Sequence, residues 1–308
     1  MSAIHPRLSV IIPHLNEPEN LNRCLRSLDA QRSDAMPFEV IVVDNGSRAL
    51  PEIDGSLTIE VRLEREPVPG PGPARNRGAS VARAEVLAFV DADCVAHPAW
   101  ISTIVTFMDD NPQVDVIGGD IALLRKDPRR MTAVEGYESI YSYRNKTYVE
   151  RHGYSATGNM AVRTRVFRSV GPFGGISTME DTEWGKRATA QGHPIAYVAG
   201  AIVATPSCQS FEELAKRWDR HVAHEFRDLA PGPKGLLGWL AKSAVIAGSP
   251  VGEIFRIARS DRVSGPRERF LALVCTTRVR LYRARRMVGL ALKDNASAMV
   301  DSWNRENP

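Results

Sequence analysis

In Val86-Leu87-Ala88-Phe89-Val90-Asp91-Ala92-Asp93, five apolar residues run into two carboxylates one residue apart. The apolar part has the composition of a strand buried on both faces, which predicts a sheet whose edge carries the acids. Open α/β sheets bind ligands at that edge. In an extended segment residues two apart point to the same side, so Asp91 and Asp93, with Ala92 between them, are able to converge on one hard cation and the phosphates it carries. A short acidic triplet also suits a solvated loop. By itself this one leaves both readings open.

Upstream of the run, Leu8–Pro13 and Phe38–Val43 are β-branched stretches that each predict a strand, and a third is expected within Leu57–Leu63. Asn16-Glu17-Pro18 and the apolar spacing of Leu21, Leu25 and Leu28 predict a helix after the first strand, with Pro18 in its first turn. Pro67–Pro73 predicts a loop and Ala74–Arg83 a helix feeding the acidic strand. Downstream, helices are expected at His97–Met108, Thr132–Val149 and Glu180–Gln191, and strands at Val114–Leu123, Gly158–Val162, Ile195–Val198 and Ala201–Ala204. Alternating strands and helices predict a mainly parallel, Rossmann-like sheet flanked by helices on both faces. Beyond Phe211 the pattern becomes helical, broken at Pro231-Gly232-Pro233 and Ser264-Gly265-Pro266.

The chain has 308 residues, 43% of them hydrophobic and 25% charged, the composition of a globular protein with a sizeable core. Its four cysteines are scattered, with no CxxC pair and no secretory leader ahead of them. That arrangement predicts free thiols in a reducing compartment and no structural zinc. No run of 18 apolar residues is free of charge or turn formers, so no spanning helix is expected. Charge is uneven: residues 232–308 hold 14 Lys+Arg against 6 Asp+Glu, a net of +8, in a chain whose net is +4. A basic helical tail suits a solvated surface or an anionic membrane face.

Six short motifs fall in order along the first two thirds of the chain. They are Pro13-His14-Leu15-Asn16-Glu17, Val43-Asp44-Asn45-Gly46-Ser47, Ala74-Arg75-Asn76-Arg77-Gly78, Asp91-Ala92-Asp93, Gly158-Asn159-Met160-Ala161 and Glu180-Asp181. Together they resemble the family 2 glycosyltransferases, whose GT-A fold binds a nucleotide-diphospho-sugar. The likeness covers roughly residues 7–205, which implies a GT-A domain over 1–210 and a basic helical C-terminal extension over 211–308. A dehydrogenase reading of Gly70-Pro71-Gly72 fails, because Arg75 stands where the third glycine of that fingerprint belongs. A nucleotidyltransferase would carry a glycine- and arginine-rich phosphate loop where Pro13–Glu17 stands.

What the resemblance implies runs residue by residue. Pro13, Asn16 and Glu17 would line the nucleotide pocket, and Asp44 would accept a hydrogen bond from the base, a role that suits uracil. Asp44 ahead of Asn-Gly also suits plain turn initiation. Arg75 and Asn76 would sit near the diphosphate or base, with Arg77 equally suited to the helix surface. Asp93 would coordinate a magnesium or manganese ion directly, while Asp91 holds the ribose or a water of the metal. Gly158 and Asn159 would lie beside the donor sugar. Asp181, with Glu180 second, would act as the base that deprotonates the acceptor, although acids at a helix N-terminus also stabilise its dipole. An acceptor attacking opposite the leaving group would invert the anomeric centre.

Two departures from the family pattern bear on this reading. No histidine follows the last strand of the domain, where Ala204-Thr205-Pro206-Ser207 stands; His221 and His224 are the nearest, on what reads as a solvated helical face. Leu214 replaces the glutamine of the Gln-x-x-Arg-Trp motif of processive synthases, ahead of Arg217-Trp218, which implies addition of one sugar. The expected partners are thus a UDP-linked donor, a glycan or lipid-linked acceptor and no nucleic acid. An anionic membrane surface and a homodimer through the C-terminal helices are both compatible with the tail, with a cytoplasmic location, peripheral at the inner membrane face. A non-catalytic sugar-nucleotide-binding protein of the same fold is the alternative, against which the second acidic pair argues.

Overall fold

A computed structural model describes residues 5–293 apart from 128, 177, 230 and 231. In chain order its elements are β1 (Leu8–His14), α1 (Pro18–Asp29), β2 (Phe38–Asp44), β3 (Val61–Arg65), α2 (Pro71–Val81), β4 (Val86–Val90), β5 (Val95–Ala96), α3 (Trp100–Asp110), β6 (Val116–Leu124) and α4 (Ala133–Tyr141). Then follow α5 (Asn145–His152), β7 (Asn159–Arg163), α6 (Thr164–Val170), α7 (Glu180–Ala190), β8 (Ile195–Pro206), α8 (Phe211–Arg227), α9 (Pro233–Gly248), α10 (Pro250–Ala258) and α11 (Gly265–Lys293). They divide into two compact units, one running to Leu124 and resuming over Tyr143–Pro206, the other formed by Arg125–Ser142 and the chain from Ser207.

The first unit is built on one mixed sheet in the order β3-β2-β1-β4-β7-β6-β8-β5. β1, β2, β3 and β4 are parallel, so their C-terminal ends share one edge. β4 explains how five consecutive apolar residues are all buried. Val86, Ala88 and Val90 face a layer that includes α1 and α3, while Leu87 and Phe89 face the opposite layer with α6 and α7. On that second side Phe89 meets Phe173 edge-on at 5.4 Å, and Phe173 packs on the fully buried Trp184. An aromatic pair of this kind adds about 1 kcal/mol beyond its buried area.

Several elements depart from the sequence expectation, each for a local reason. α2 starts at Pro71 inside the expected loop, because proline at the first helical position loses no hydrogen bond there and Gly70 takes φ +120° ahead of it. The long helix expected over Thr132–Val149 is two helices. α4 starts on a Thr132/Glu135 capping box, and the chain breaks before α5, where Tyr143 adopts φ +51°. β8 is one strand in place of two, its register on β6 jumping from Gly119↔Val198 to Asp120↔Ile202, so that residues 199–201 bulge out. β7 runs antiparallel between β4 and β6, making the sheet mixed; Val90 pairs with Asn159, which brings Gly158 beside the acidic loop.

The second unit is helical, comprising α4 and α8–α11. One of its apolar clusters joins Tyr137, Leu214, Cys275 and Val279, and another joins Val222, Trp239, Ile246, Ala284, Met287 and Leu290. All four cysteines of the chain are free thiols. Among the described residues no helix is long and apolar enough to cross a membrane.

Candidate active site

The parallel strand ends gather the acidic motifs at one edge of the first unit, and Arg75 ties two of them together. From the first turns of α2 its guanidinium reaches Asp91 Oδ1 at 2.6 Å through Nη2 and Glu180 Oε1 at 2.9 Å through Nη1. The Arg75 side chain is 4% exposed, Asp91 43% and Glu180 20%, so a buried cation is matched by two carboxylates that open towards solvent. Its Nε–H is buried and meets no hydrogen-bond acceptor among the described residues. Gly158 leaves room for this arrangement, since a Cβ there would stand 2.8 Å from Asp91 Oδ2.

Asp93 is differently placed. No cation among the described residues pairs with its carboxylate, which accepts from the Cys94 thiol at 3.6 Å, while Arg23 Nη2 donates to its backbone carbonyl at 3.3 Å. Burial, then the neighbouring charges of Asp91 and Glu17, push its pKa up to about 6. Among the described residues no group of three or more His, Cys, Asp and Glu is disposed to hold a metal. The Asp91/Asp93 pair nevertheless suits a hard divalent cation in one respect: its donors are oxygens and its negative charge is in local excess, so phosphate oxygens and water would have to complete the shell.

Asp181 occupies the first turn of α7. Its Oδ1 accepts hydrogen bonds from the Thr182 backbone N–H at 2.6 Å and hydroxyl at 3.3 Å. Burial first, then the charge of Glu180, still raise its pKa above the ordinary carboxylate range, outweighing Thr182 and Arg75. Of the acidic pair, Glu180 therefore carries the ion pair and Asp181 the perturbed acid. Tyr148 and Tyr154 stack at 5.1 Å in the same unit, and a Cβ on Gly185 of α7 would collide with Tyr154.

The β1 and β2 ends form the other corner. Register pairs His14 with Asp44, and the His14 Nδ1 lies 3.1 Å from Asp44 Oδ1. His14 Nε2 accepts from the Glu17 backbone N–H at 3.2 Å, which leaves the ring proton on Nδ1 to be donated to Asp44. Asp44 Oδ2 accepts from Ser47 N–H at 3.2 Å. Asn16, at φ +55°, donates its N–H to Ser47 Oγ and accepts from Arg48 N–H.

The sequence pattern of glycosyl transferase family 2 matches residues 9–171, more than half of the chain and all of the strand ends just described except Glu180 and Asp181. The chain belongs to glycosyl transferase family 2. This glycosyltransferase is 33% identical over 224 residues to the glycosyltransferase AglE of Haloferax volcanii, covering 70% of this chain and 72% of that one. It is 27% identical over 217 residues to the pre-mycofactocin glycosyltransferase of Mycobacterium tuberculosis, covering 65% of this chain and 43% of that one. Among solved structures it resembles a mannosyltransferase from Pyrobaculum calidifontis in complex with GDP-Man and Mn2+, at 17% identity and a TM-score of 0.54 over 95% of this chain and 88% of that one. The glycosyltransferase has the GT-A fold, with additional C-terminal helices.

Within the glycosyltransferase, Pro13, Asn16, Glu17, Asp44, Arg75, Asp91, Ala92, Asp93, Gly158, Glu180 and Asp181 lie in the one unit, at or beside the strand ends. Two amides that the sequence pointed at a ligand are engaged elsewhere. Asn76 brackets the backbone of Phe173, donating to its carbonyl at 3.0 Å and accepting from its N–H at 2.9 Å. Asn159, which the resemblance put beside the donor sugar, is buried, donates to the carbonyls of Asp120 and Ala201, and accepts from Trp100 Nε1, so its amide pins the β8 bulge. Arg77 pairs with Glu64 on the helix surface. His221, expected on a solvated face, is half-buried; burial, then Arg220, Arg217 and Arg283, bring its pKa down to about 4.

His14 escaped the sequence reading because nothing in its local pattern separates it from any other residue at a strand end. Its one legible signal was position at the end of the β1 run; its register with Asp44 is visible only in the structure. Asn45 was missed for a similar reason. Its amide donates to the carbonyls of Glu66 and Val68 and accepts from Gly70 N–H, fastening the loop that leads into α2.

Proposed function

We propose that this glycosyltransferase moves one sugar from a uridine-diphospho-sugar to a hydroxyl of a glycan or lipid-linked acceptor, inverting the anomeric carbon. The observation that carries the reading is the Arg75 bridge, with Asp91 at 2.6 Å and Glu180 at 2.9 Å, which joins two acidic motifs far apart in sequence around one guanidinium. Asp93 and Asp91 would hold a magnesium or manganese ion together with the donor diphosphate, and that ion would offset the charge developing on the leaving group. The manganese and GDP-Man of the Pyrobaculum mannosyltransferase support a cation-assisted nucleotide-sugar site.

Pro13, Asn16 and Glu17 border the nucleotide in this reading, and Asp44 faces its base. Because His14 and Ser47 already hold both Asp44 oxygens, that carboxylate would meet the base in a preset orientation, through its remaining lone pairs. Arg75 keeps Asp91 oriented. Asp181 takes the acceptor proton as the new bond forms; its raised pKa brings it closer to working pH, which favours proton transfer by a carboxylate. A single displacement needs no covalent nucleophile, and the departure from Gln-x-x-Arg-Trp at Leu214 supports one addition per encounter.

The test is release of nucleoside diphosphate from a panel of UDP- and GDP-sugars, with and without manganese. Manganese-dependent release from a UDP-sugar, lost in Asp93→Ala and in Asp181→Asn, is expected. Release from GDP-sugars alone would overturn the uridine assignment, and undiminished release after chelation would overturn the cation.

A further inference from the structure

Helices α9, α10 and α11 carry apolar side chains on their water-facing side as well as on the side they bury. α9 turns Trp239, Ser243 and Ile246 inward, with the Trp239 Nε1 and Ser243 hydroxyl donating to the Met287 and Ala284 carbonyls of α11. Its outward positions are Leu237, Leu240, Ala241, Ala244, Val245 and Gly248, spaced three and four apart along one stripe. α10 buries Glu253, which accepts from Tyr141 and Arg280, and exposes Val251, Ile254, Phe255 and Ala258 at the same spacing. α11 buries Ala272, Cys275, Val279, Met287 and Leu290 together with Thr276 and Arg283, yet also exposes Phe270, Val274, Leu281, Val288 and Leu292.

Of the large hydrophobic side chains exposed among the described residues, most lie on these three helices, with Val245 72% and Phe255 70% exposed. A helix in contact with water on one side normally keeps that side polar, so the apolar stripes left exposed here are the departure. The outward stripes are bordered by exposed cations, including Lys234 on α9, Arg259 after α10 and Arg285 on α11. Over residues 233–293 the sequence holds 13 Lys+Arg against 3 Asp+Glu, a net of +10.

We propose that these helices dock on an anionic lipid bilayer, the outward apolar side chains entering the headgroup boundary and the cations meeting lipid phosphates. Charge decides between possible occupants. A second copy would bring another +10 against the first, whereas an anionic bilayer complements it and also solvates the exposed Leu, Val and Phe side chains. None of these helices needs to span the membrane for this.

The test uses the full chain with vesicles of phosphatidylglycerol and phosphatidylcholine, against phosphatidylcholine alone, at low and high salt. The expected result is co-sedimentation with the anionic vesicles at least tenfold tighter than with the neutral ones, weakened by salt. Val245→Glu combined with Phe255→Glu changes two exposed positions, so it should leave the thermal midpoint unchanged while lowering vesicle affinity at least tenfold. Lys234→Gln combined with Arg259→Gln should lower it about fivefold per cation. Absence of co-sedimentation at low salt overturns the proposal. So does undiminished binding by the Val245/Phe255 variant, which would leave only charge attraction. A concentration-dependent dimer, seen by light scattering without lipid and dissolved by that same variant, would assign the face to a second copy and overturn the lipid.

Discussion

The two acid-bearing corners of the sheet treat withdrawn carboxyl groups in opposite ways. At the β1–β2 corner burial would raise the pKa of Asp44, yet hydrogen bonds from Ser47 and His14 carry it below the ordinary range. At the β4–α7 corner burial acts on Asp93 and Asp181 as well, but there the next contribution comes from other carboxylates, and both rise. Loss of water is common to all three. What separates them is whether hydrogen-bond donors outweigh that loss, as at Asp44, or neighbouring negative charge adds to it faster than the donors offset it. The first condition makes a fixed strut; the second leaves an acid in want of a cation or a proton, as catalytic sites require.

Substitutions at the β4–α7 corner, where the proposed function places the chemistry, should have the largest effects. Asp181→Asn is expected to lower the rate of nucleoside diphosphate release about a thousandfold, the usual size of a lost general base, with donor affinity within twofold of the parent. A parent-like rate would remove the contrast between the corners. Asp93→Asn should lower the rate about a hundredfold and abolish the response to manganese in a metal titration. Retention of that response would transfer the cation to other groups.

Breaking the Arg75 bridge addresses stability. Arg75→Met should cost about 2 kcal/mol in urea unfolding, less than a fully buried ion pair because Asp91 is partly open to water. An unchanged midpoint would mean that the bridge contributes orientation alone.

The smallest effects should come from pH, and their signs differ between corners. Asp44, lowered in the folded state, contributes stability that is present above the unfolded carboxylate pKa and is lost as pH falls through its folded value. Asp44→Asn should therefore cost about 1 kcal/mol at neutral pH and flatten the acid limb of the stability profile. Asp181, raised, works the other way. Stability falls as pH climbs from its unfolded towards its folded pKa, so Asp181→Asn should stabilise the protein slightly at neutral pH. Thermal melts across pH 3–8 measure both, and like signs in the two variants would break the comparison.

How legible these corners were depended on the range of the interactions behind them. β4 and its acids could be read because alternate burial on both faces demands an unbroken apolar run, and chain direction puts whatever follows it at the sheet edge. α4 declared its start through Thr132 and Glu135, residues within a single turn. Its early end before α5 was illegible, since Ser142–Arg144 contains no glycine or proline. Asn76 and Asn159 were expected to contact the donor only because the family resemblance implied it. Their partners, the Phe173 backbone and the carbonyls of Asp120 and Ala201, lie far along the chain.

By itself the sequence determined most of the strands and helices of the sheet domain, the acids at their ends and a tail rich in cations, because periodicity, turn chemistry and charge are local properties. Only the tertiary structure decided which carboxylates receive donors and which face one another. It also decided that Arg75 joins Asp91 to Glu180, and that the last three helices leave apolar stripes exposed beyond the ones they bury. Those outcomes depend on where groups from distant segments come to rest, and a pKa or an exposed face is a property of that neighbourhood and not of the residue.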